Sequence, residues 1–145
     1  YGKARLRRVE DKMQERNPQV ERELSKLVSI ITKVVPFVAE VRVFGSYNNG
    51  NWNPETSDVD VFVETNDEEC SLYSYKDYNL EKRGHHIDNP KRKSIKNRIM
   101  EEEYKTKFHL HLLSTGDIDG KRNAIEQHMK SGRLLYSNKQ IPTTN

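Results

Sequence analysis

The sequence predicts a small α/β domain in which a short β-sheet is flanked by helices. Two observations lead to this prediction. Apolar residues recur every three or four positions after Pro18, as on the buried face of a helix. Segments near residues 40, 60 and 110 alternate apolar and polar residues, as strands do. At 145 residues the chain suits one compact domain, so residues 1–145 are predicted to form a single domain.

Two helices are predicted in the first quarter of the chain. Residues 1–16 carry one narrow apolar stripe, formed by Leu6, Val9 and Met13. The second helix begins after Asn17, because Asn caps exposed amides and Pro suits the first helical position, and it ends before Pro36. Its buried face is predicted to consist of Val20, Leu24, Leu27, Val28 and Ile31.

Three strands follow from the alternating segments. The first spans residues 40–44 and ends at Gly45 and Ser46, which begin an Asn- and Gly-rich loop with a short helical turn. The second spans residues 58–64 and is rich in β-branched residues. The third spans residues 108–114 and has the sequence FHLHLLS.

The remaining segments give weaker patterns. Residues 66–106 are polar, and KSIKNRIMEEEYK is their most helix-like part. Asp117 or Asp119 is predicted to cap a last helix near residue 122, which stops at Gly132. Residues 134–136 then form a final short strand.

Composition excludes several classes of protein. No stretch approaches the roughly 20 apolar residues of a membrane helix, and no apolar signal segment is present, so we expect a soluble, cytoplasmic protein without membrane partners. Cys70 is the only cysteine, which excludes an intrachain disulfide and a cysteine-based zinc cluster. A net charge of +3 alone does not indicate a nucleic-acid-binding protein.

Asp58 and Asp60 are the strongest candidates for chemistry. Side chains two residues apart in a strand lie on one face, about 7 Å from each other. Paired carboxylates repel, and a protein keeps such a pair by raising a pKa or by supplying a cation. Mg²⁺ accepts one or two carboxylates and completes its shell with water and triphosphate oxygens. The pair therefore predicts a site for Mg²⁺, with Mn²⁺ as an alternative.

The Gly45–Ser46 turn supplies the second half of this pattern. Glycine lets a phosphate approach the backbone, while the Ser hydroxyl and the following amides can donate hydrogen bonds to it. Trp52, in the spacer that follows, either covers a bound base or fixes the loop.

The run FGSYNNGNWNPETSDVDVFVE resembles the signature of the polymerase-β-like nucleotidyltransferases, and SGRLLYSN resembles the ending of their minimal members. The resemblance implies a mixed sheet and transfer of a nucleoside monophosphate from a triphosphate, with ATP as the expected donor, to a hydroxyl. A protein or a nucleic acid is the expected acceptor. The resemblance assigns metal binding to Asp58 and Asp60, and nucleotide binding to Gly45, Ser46 and Asn49.

The sequence departs from this family at two positions. Active members usually carry a third carboxylate on a later strand, whereas FHLHLLS contains none and has His109 at that position, with His111 on the same face. Imidazole can act as a general base or bind a transition metal, but it is a poor ligand for Mg²⁺. His109 is thus a candidate catalytic residue. Many minimal members also have an arginine in the spacer, where Asn49 brings no charge.

Several interpretations remain open at this stage. The missing acid indicates a substituted base, a domain that binds nucleotide without efficient turnover, or a misaligned strand whose true third acid lies elsewhere in the chain. Small chains of this type also resemble antitoxins that pair with a helical partner protein. The basic residues between 91 and 98 either contact a polyanion, as in a nucleic-acid-binding module, or form a solvated helix face.

Overall fold

The computed structural model describes residues 16–71, 89–119 and 124–138. The helix predicted for residues 1–16 therefore lies outside the described residues, apart from Arg16. Within the described ranges, no helix has the length and apolar character needed to span a bilayer.

Helix α1 spans Pro18–Val34 and confirms the predicted helix. The Asn17 side chain accepts hydrogen bonds from the amides of Gln19 and Val20, at 2.9 and 3.1 Å, as an N-cap does. Four of the five residues predicted to face the core are buried, whereas Val28 is half-buried.

Four strands form one mixed sheet. Their bounds are β1 Val38–Phe44, β2 Val59–Thr65, β3 Phe108–Ser114 and β4 Arg133–Ser137. The order across the sheet is β3-β2-β1-β4. Strand β1 is antiparallel to both β2 and β4, whereas β2 and β3 are parallel. The predicted fold class is confirmed, although β1 begins two residues early and β2 begins at Val59, just after Asp58.

The shorter helices connect these strands. They are α2 Ser46–Asn49, a 3-10 turn Glu68–Cys70, α3 Pro90–Ile99, α4 Thr115–Asp119 and α5 Ala124–Lys130. The prediction that Asp117 caps the last helix was wrong, because Asp117 lies within the separate helix α4. Its carboxylate accepts from the Ser114 amide at 3.4 Å, and its amide donates to Ser114 Oγ at 3.2 Å. Asp119 ends the same helix.

Helix α3 accounts for much of the basic run. Asn89 caps it and Pro90 begins it, and it ends at Ile99, so the helix predicted from KSIKNRIMEEEYK is right only in its first half. Arg92 is buried and donates from Nε to the Leu112 carbonyl at 3.1 Å. Lys91 pairs with Asp67 at 2.7 Å. At least these two basic residues therefore stabilise the fold.

The two faces of the sheet are covered by different elements. Apolar side chains on one face pack against α1 and α3; the buried strand residues of this cluster are Val38, Val41, Val43, Val59, Val61, Val63, Phe108, Leu110 and Leu112. The other face carries a smaller cluster of Phe44, Phe62, Leu113, Ile118 and Met129. Because side chains alternate along a strand, Asp60 lies on the same face as Phe62. The candidate polar site is thus on the less extensively covered face.

Glu23 of α1 fixes the chain just before β3. Its carboxylate accepts hydrogen bonds from the amides of Lys105 and Thr106, at 2.7 and 3.0 Å, and from the Thr106 hydroxyl at 2.6 Å. Burial raises the pKa of Glu23, but the bonds from Thr106 and Lys105 outweigh it and lower that pKa below its usual 4.5.

We expect acidification to remove this contribution to stability. The unfolded chain binds more protons than the folded one near the usual Glu pKa, so stability falls as the pH drops below about 4.5 and through the lower folded pKa. The free energy of unfolding, measured by denaturant titration between about pH 7 and 3, should fall less steeply in Glu23→Gln. The exposed Glu101→Gln is the control; equal acid sensitivity of Glu23→Gln and the wild type would contradict the prediction.

Candidate active site

Asp60 lies beside two histidines of the neighbouring strand. In the sheet register Asp60 pairs with Phe44 of β1 and with His109 of β3. Its Oδ1 atom is 3.2 Å from His111 Nε2 and 3.6 Å from His109 Nδ1. One possible ligand atom from each of Asp60, His109 and His111 lies within 4.8 Å of the other two. The parallel pairing of β2 and β3 thus builds a compact cluster of one carboxylate and two imidazoles.

This cluster has a buried side and an open side. The His111 side chain is only 5% exposed, whereas those of Asp60 and His109 are 26% and 30% exposed. The Phe44 ring meets His111 edge-on at a centroid distance of 5.0 Å. The two imidazoles lie 4.2 Å apart. A ligand can therefore reach Asp60 and His109 from solvent while His111 stays fixed below them.

The pKa of His109 reflects this crowding. Burial lowers it below its usual 6.5, and the neighbouring charge of His111 lowers it further, against the opposing charges of Asp60 and Asp58. His109 is therefore neutral near pH 7, with a nitrogen lone pair available for a proton or a cation.

Gly45 brings the backbone against Asp60. Its φ of 78° and ψ of −153° lie in a region that essentially only glycine occupies. A Cβ atom at this position would lie 2.7 Å from Asp60 Oδ2. Oδ1 thus faces the histidines while Oδ2 faces Gly45. The predicted proximity of the turn and the carboxylate is present for Asp60.

The other predicted nucleotide-binding residues follow Gly45 in α2. Ser46 begins this helix and is half-buried, and its N-cap residue, Gly45, has no side chain that could bond the first amides. Asn49 ends the helix with an exposed side chain, and its amide donates to the Gly45 carbonyl at 3.0 Å. Ser46 therefore adjoins the cluster through Gly45, and Asn49 lies one turn further along.

Asp58 is exposed and directly precedes β2. Its charge, like that of Asp60, raises the pKa of His109, but Asp58 is not part of the cluster of Asp60, His109 and His111. Trp52 holds the loop before it: the indole Nε1 donates to the Ser57 carbonyl at 3.1 Å, and the ring packs on Tyr47 at 5.3 Å. Between the two roles considered for Trp52, these contacts favour fixing the loop.

We expect Trp52→Phe to make the loop that precedes Asp58 more mobile. Phenylalanine keeps the contact with Tyr47 but loses the hydrogen bond to Ser57, which costs about 1 kcal/mol of unfolding free energy. Denaturant unfolding measures this loss, and mobility of Asp58 should raise the KM for nucleotide more than it lowers kcat. The matched control is Tyr104→Phe, which keeps its aromatic ring. An unchanged KM in Trp52→Phe would contradict the role assigned to the loop.

Two residues near the cluster were not among the predicted site residues. His111 was recognised only as a neighbour of His109 on one strand face, and its burial against Phe44 could not be read from alternation. Lys96 of α3 lies close enough for its charge to lower the pKa of His109. Lys96 is one of several basic residues in its segment, so the sequence alone did not distinguish it from the others.

The structure also bears on the missing carboxylate. Strand β3 occupies the residues predicted for it, and His109 pairs directly with Asp60. In the described part of the chain, β3 is the strand next to β2 on the side away from β1. The strand beside Asp60 is therefore the predicted FHLHLLS, which contains no acid.

Comparison with known proteins adds one finding. The family model described as nucleotidyltransferase domain matches residues 18–130, a range that runs from the start of α1 to the end of α5. A comparison with curated proteins and another with solved structures gave no match.

Proposed function

The chain belongs to the nucleotidyltransferase domain family, and from this membership we propose that it transfers a nucleoside monophosphate from ATP to a hydroxyl, releasing pyrophosphate. Nucleotidyl transfer in general follows from the family. The choice of ATP and of a protein or nucleic-acid hydroxyl as acceptor is part of the proposal. The observation that carries it is the convergence of Gly45, Asp60 and His109 at one point of the sheet.

Gly45 and Ser46 are the proposed ligands of the β- and γ-phosphates. The absence of a side chain at Gly45 lets the backbone lie against the Asp60 carboxylate, and the first amides of α2 can donate to phosphate oxygens. Asn49 is a further candidate donor. Lys96, whose charge reaches His109, is proposed to offset part of the triphosphate charge, a role that Asn49 cannot take.

A divalent ion fits the cluster around Asp60. Such an ion, when bound, neutralises the charge on the phosphate oxygens. Asp58 and Asp60 offer the carboxylate oxygens that Mg²⁺ and Mn²⁺ accept. Two imidazoles adjoin Asp60, however, and this part of the donor set suits Mg²⁺ poorly.

His109 is the proposed counterpart of the third carboxylate. It stands opposite Asp60 in the sheet and is neutral near pH 7. A neutral imidazole there can accept the proton of the acceptor hydroxyl or bind the cation. The first role would activate the hydroxyl oxygen as a nucleophile, and the second would help to hold the ion beside Asp60.

The test is transfer of α-labelled nucleotide. Purified chain is incubated with each of the four α-labelled triphosphates and with Mg²⁺ or Mn²⁺, and label on protein or RNA is measured together with released pyrophosphate. We expect incorporation with ATP above the other three. Retained ATP binding with no label transfer under any condition would overturn the proposal.

A second candidate is a nucleotide-binding protein that has lost turnover and acts on a helical partner, as an antitoxin does. The observation favouring it is that β3, the strand beside Asp60, carries no carboxylate. Co-purification of one partner protein together with ATP binding but without transfer would support this function.

A further inference from the structure

We propose that Asp60, His109 and His111 form a three-ligand centre for a first-row transition-metal ion, such as Co²⁺ or Zn²⁺, in preference to Mg²⁺. This inference extends the proposed function, and it rests on that function only for the effect of the ion on the bound nucleotide. Metal binding itself is measured without nucleotide, so the two proposals can fail separately.

The distances suit three ligands of one ion. Donors about 2.1 Å from a metal are separated by about 3.0 Å at an octahedral angle and about 3.4 Å at a tetrahedral one. Asp60 Oδ1 lies 3.2 Å from His111 Nε2 and 3.6 Å from His109 Nδ1. Both separations are within a few tenths of an ångström of these values, and one donor atom of each histidine lies within 4.8 Å of the other.

The chemistry of the donors selects the class of metal. Mg²⁺ binds oxygen ligands almost exclusively and loses its water reluctantly. Imidazole nitrogen is a common ligand of zinc, iron, cobalt and nickel, and affinity for nitrogen ligands rises along the first transition row. Two nitrogens against one carboxylate oxygen therefore favour an ion of this row.

The surroundings fix the ligands while leaving the ion accessible. His111 is almost fully buried against Phe44, and register with β2 aligns His109 with Asp60. The remaining exposure of Asp60 and His109 leaves coordination positions for water or phosphate oxygens. Such an open position distinguishes a catalytic metal centre from a purely structural one.

The alternative is a cluster held by hydrogen bonds alone, in which His111 Nε2 shares a proton with Asp60 Oδ1. That cluster would bind no ion tightly. It would keep both histidines in place without metal, so metal titration separates the two possibilities.

The test uses the full chain stripped of metal by a chelator. Co²⁺ is added, and its visible absorption reports stoichiometry and geometry; Zn²⁺, Mn²⁺ and Mg²⁺ are then compared by calorimetry. We expect one ion per chain, with Zn²⁺ or Co²⁺ bound at least about a hundredfold more tightly than Mg²⁺. Equal or tighter binding of Mg²⁺, or no binding of any of these ions by the folded chain, would overturn the proposal.

Variants locate the ion. His109→Ala and Asp60→Asn should each weaken Co²⁺ binding by about tenfold or more, and His111→Ala should do the same if circular dichroism shows that it folds. His128→Ala is the matched control, since His128 is exposed and contacts Phe44 from α5. Unchanged Co²⁺ spectra in His109→Ala would contradict the assignment. Metal binding without transfer of any nucleotide would leave this centre standing and remove the proposed function.

Discussion

Replacement of Asp60 by Asn is expected to slow nucleotidyl transfer by roughly a thousandfold, or about 4 kcal/mol of transition-state stabilisation. Among the residues that the structure describes, Asp60 is the one carboxylate that meets both histidines and the Gly45 backbone. Asparagine has nearly the same shape and still accepts a hydrogen bond from His111, so the fold should persist while the negative charge is lost. The rate is measured with α-labelled ATP at saturating metal and nucleotide.

Two further variants make the Asp60 result interpretable. Asp58→Asn should also cause a severe loss, because Asp58 is the second proposed cation ligand. The exposed Glu101→Gln makes the same carboxylate-to-amide change away from the cluster and should leave the rate unchanged. Wild-type activity in Asp60→Asn would remove the assignment of this residue and, with it, the proposed active site.

The second large effect is expected for Gly45→Ala. Alanine cannot easily adopt the φ of 78° and ψ of −153°, and its Cβ would meet Asp60 Oδ2 at 2.7 Å. Backbone strain of this kind costs about 1 to 3 kcal/mol of unfolding free energy. Displacement of the carboxylate should in addition slow transfer by about a hundredfold, since small misplacements of a catalytic group are costly. Denaturant unfolding and the labelled-nucleotide assay measure the two losses separately.

Gly50→Ala serves as the control for the backbone effect. Gly50 also has a positive φ, 80°, but it lies at the opposite end of α2. Its substitution should therefore lower stability modestly and leave the catalytic rate intact. A Gly45→Ala protein that lost stability but kept full activity would show that the backbone can move without disturbing Asp60.

The sequence predicted the strands because their local pattern and their tertiary environment agree. Residues 108–114 alternate cleanly, and β3 has those bounds. Asp58 was expected within β2 but precedes it, because the alternation of residue types does not define the end of a strand to within one residue. Asp60 could be placed from its spacing to Val59 and Val61, which fixed its face.

Pattern alone could not give the environment of the two histidines. Alternation put His109 and His111 on one face, but it could not reveal that Phe44 would bury the second while the first stays open. Lys96 lies on α3, whose segment has weak periodicity, and it is connected with the site through the effect of its charge on the pKa of His109. Residue contacts across elements decide these features, and a strand pattern carries no information about them.

The parallel pairing of β2 and β3 has a consequence for how the site holds together. These strands are joined by the long connection 66–107, and closing such a loop costs conformational entropy. Among the described strands, β3 has β2 as its single neighbour. An ion bound by Asp60 on β2 and by the two imidazoles on β3 would cross-link the two strands, so binding of the metal would also hold the outermost described strand against the sheet.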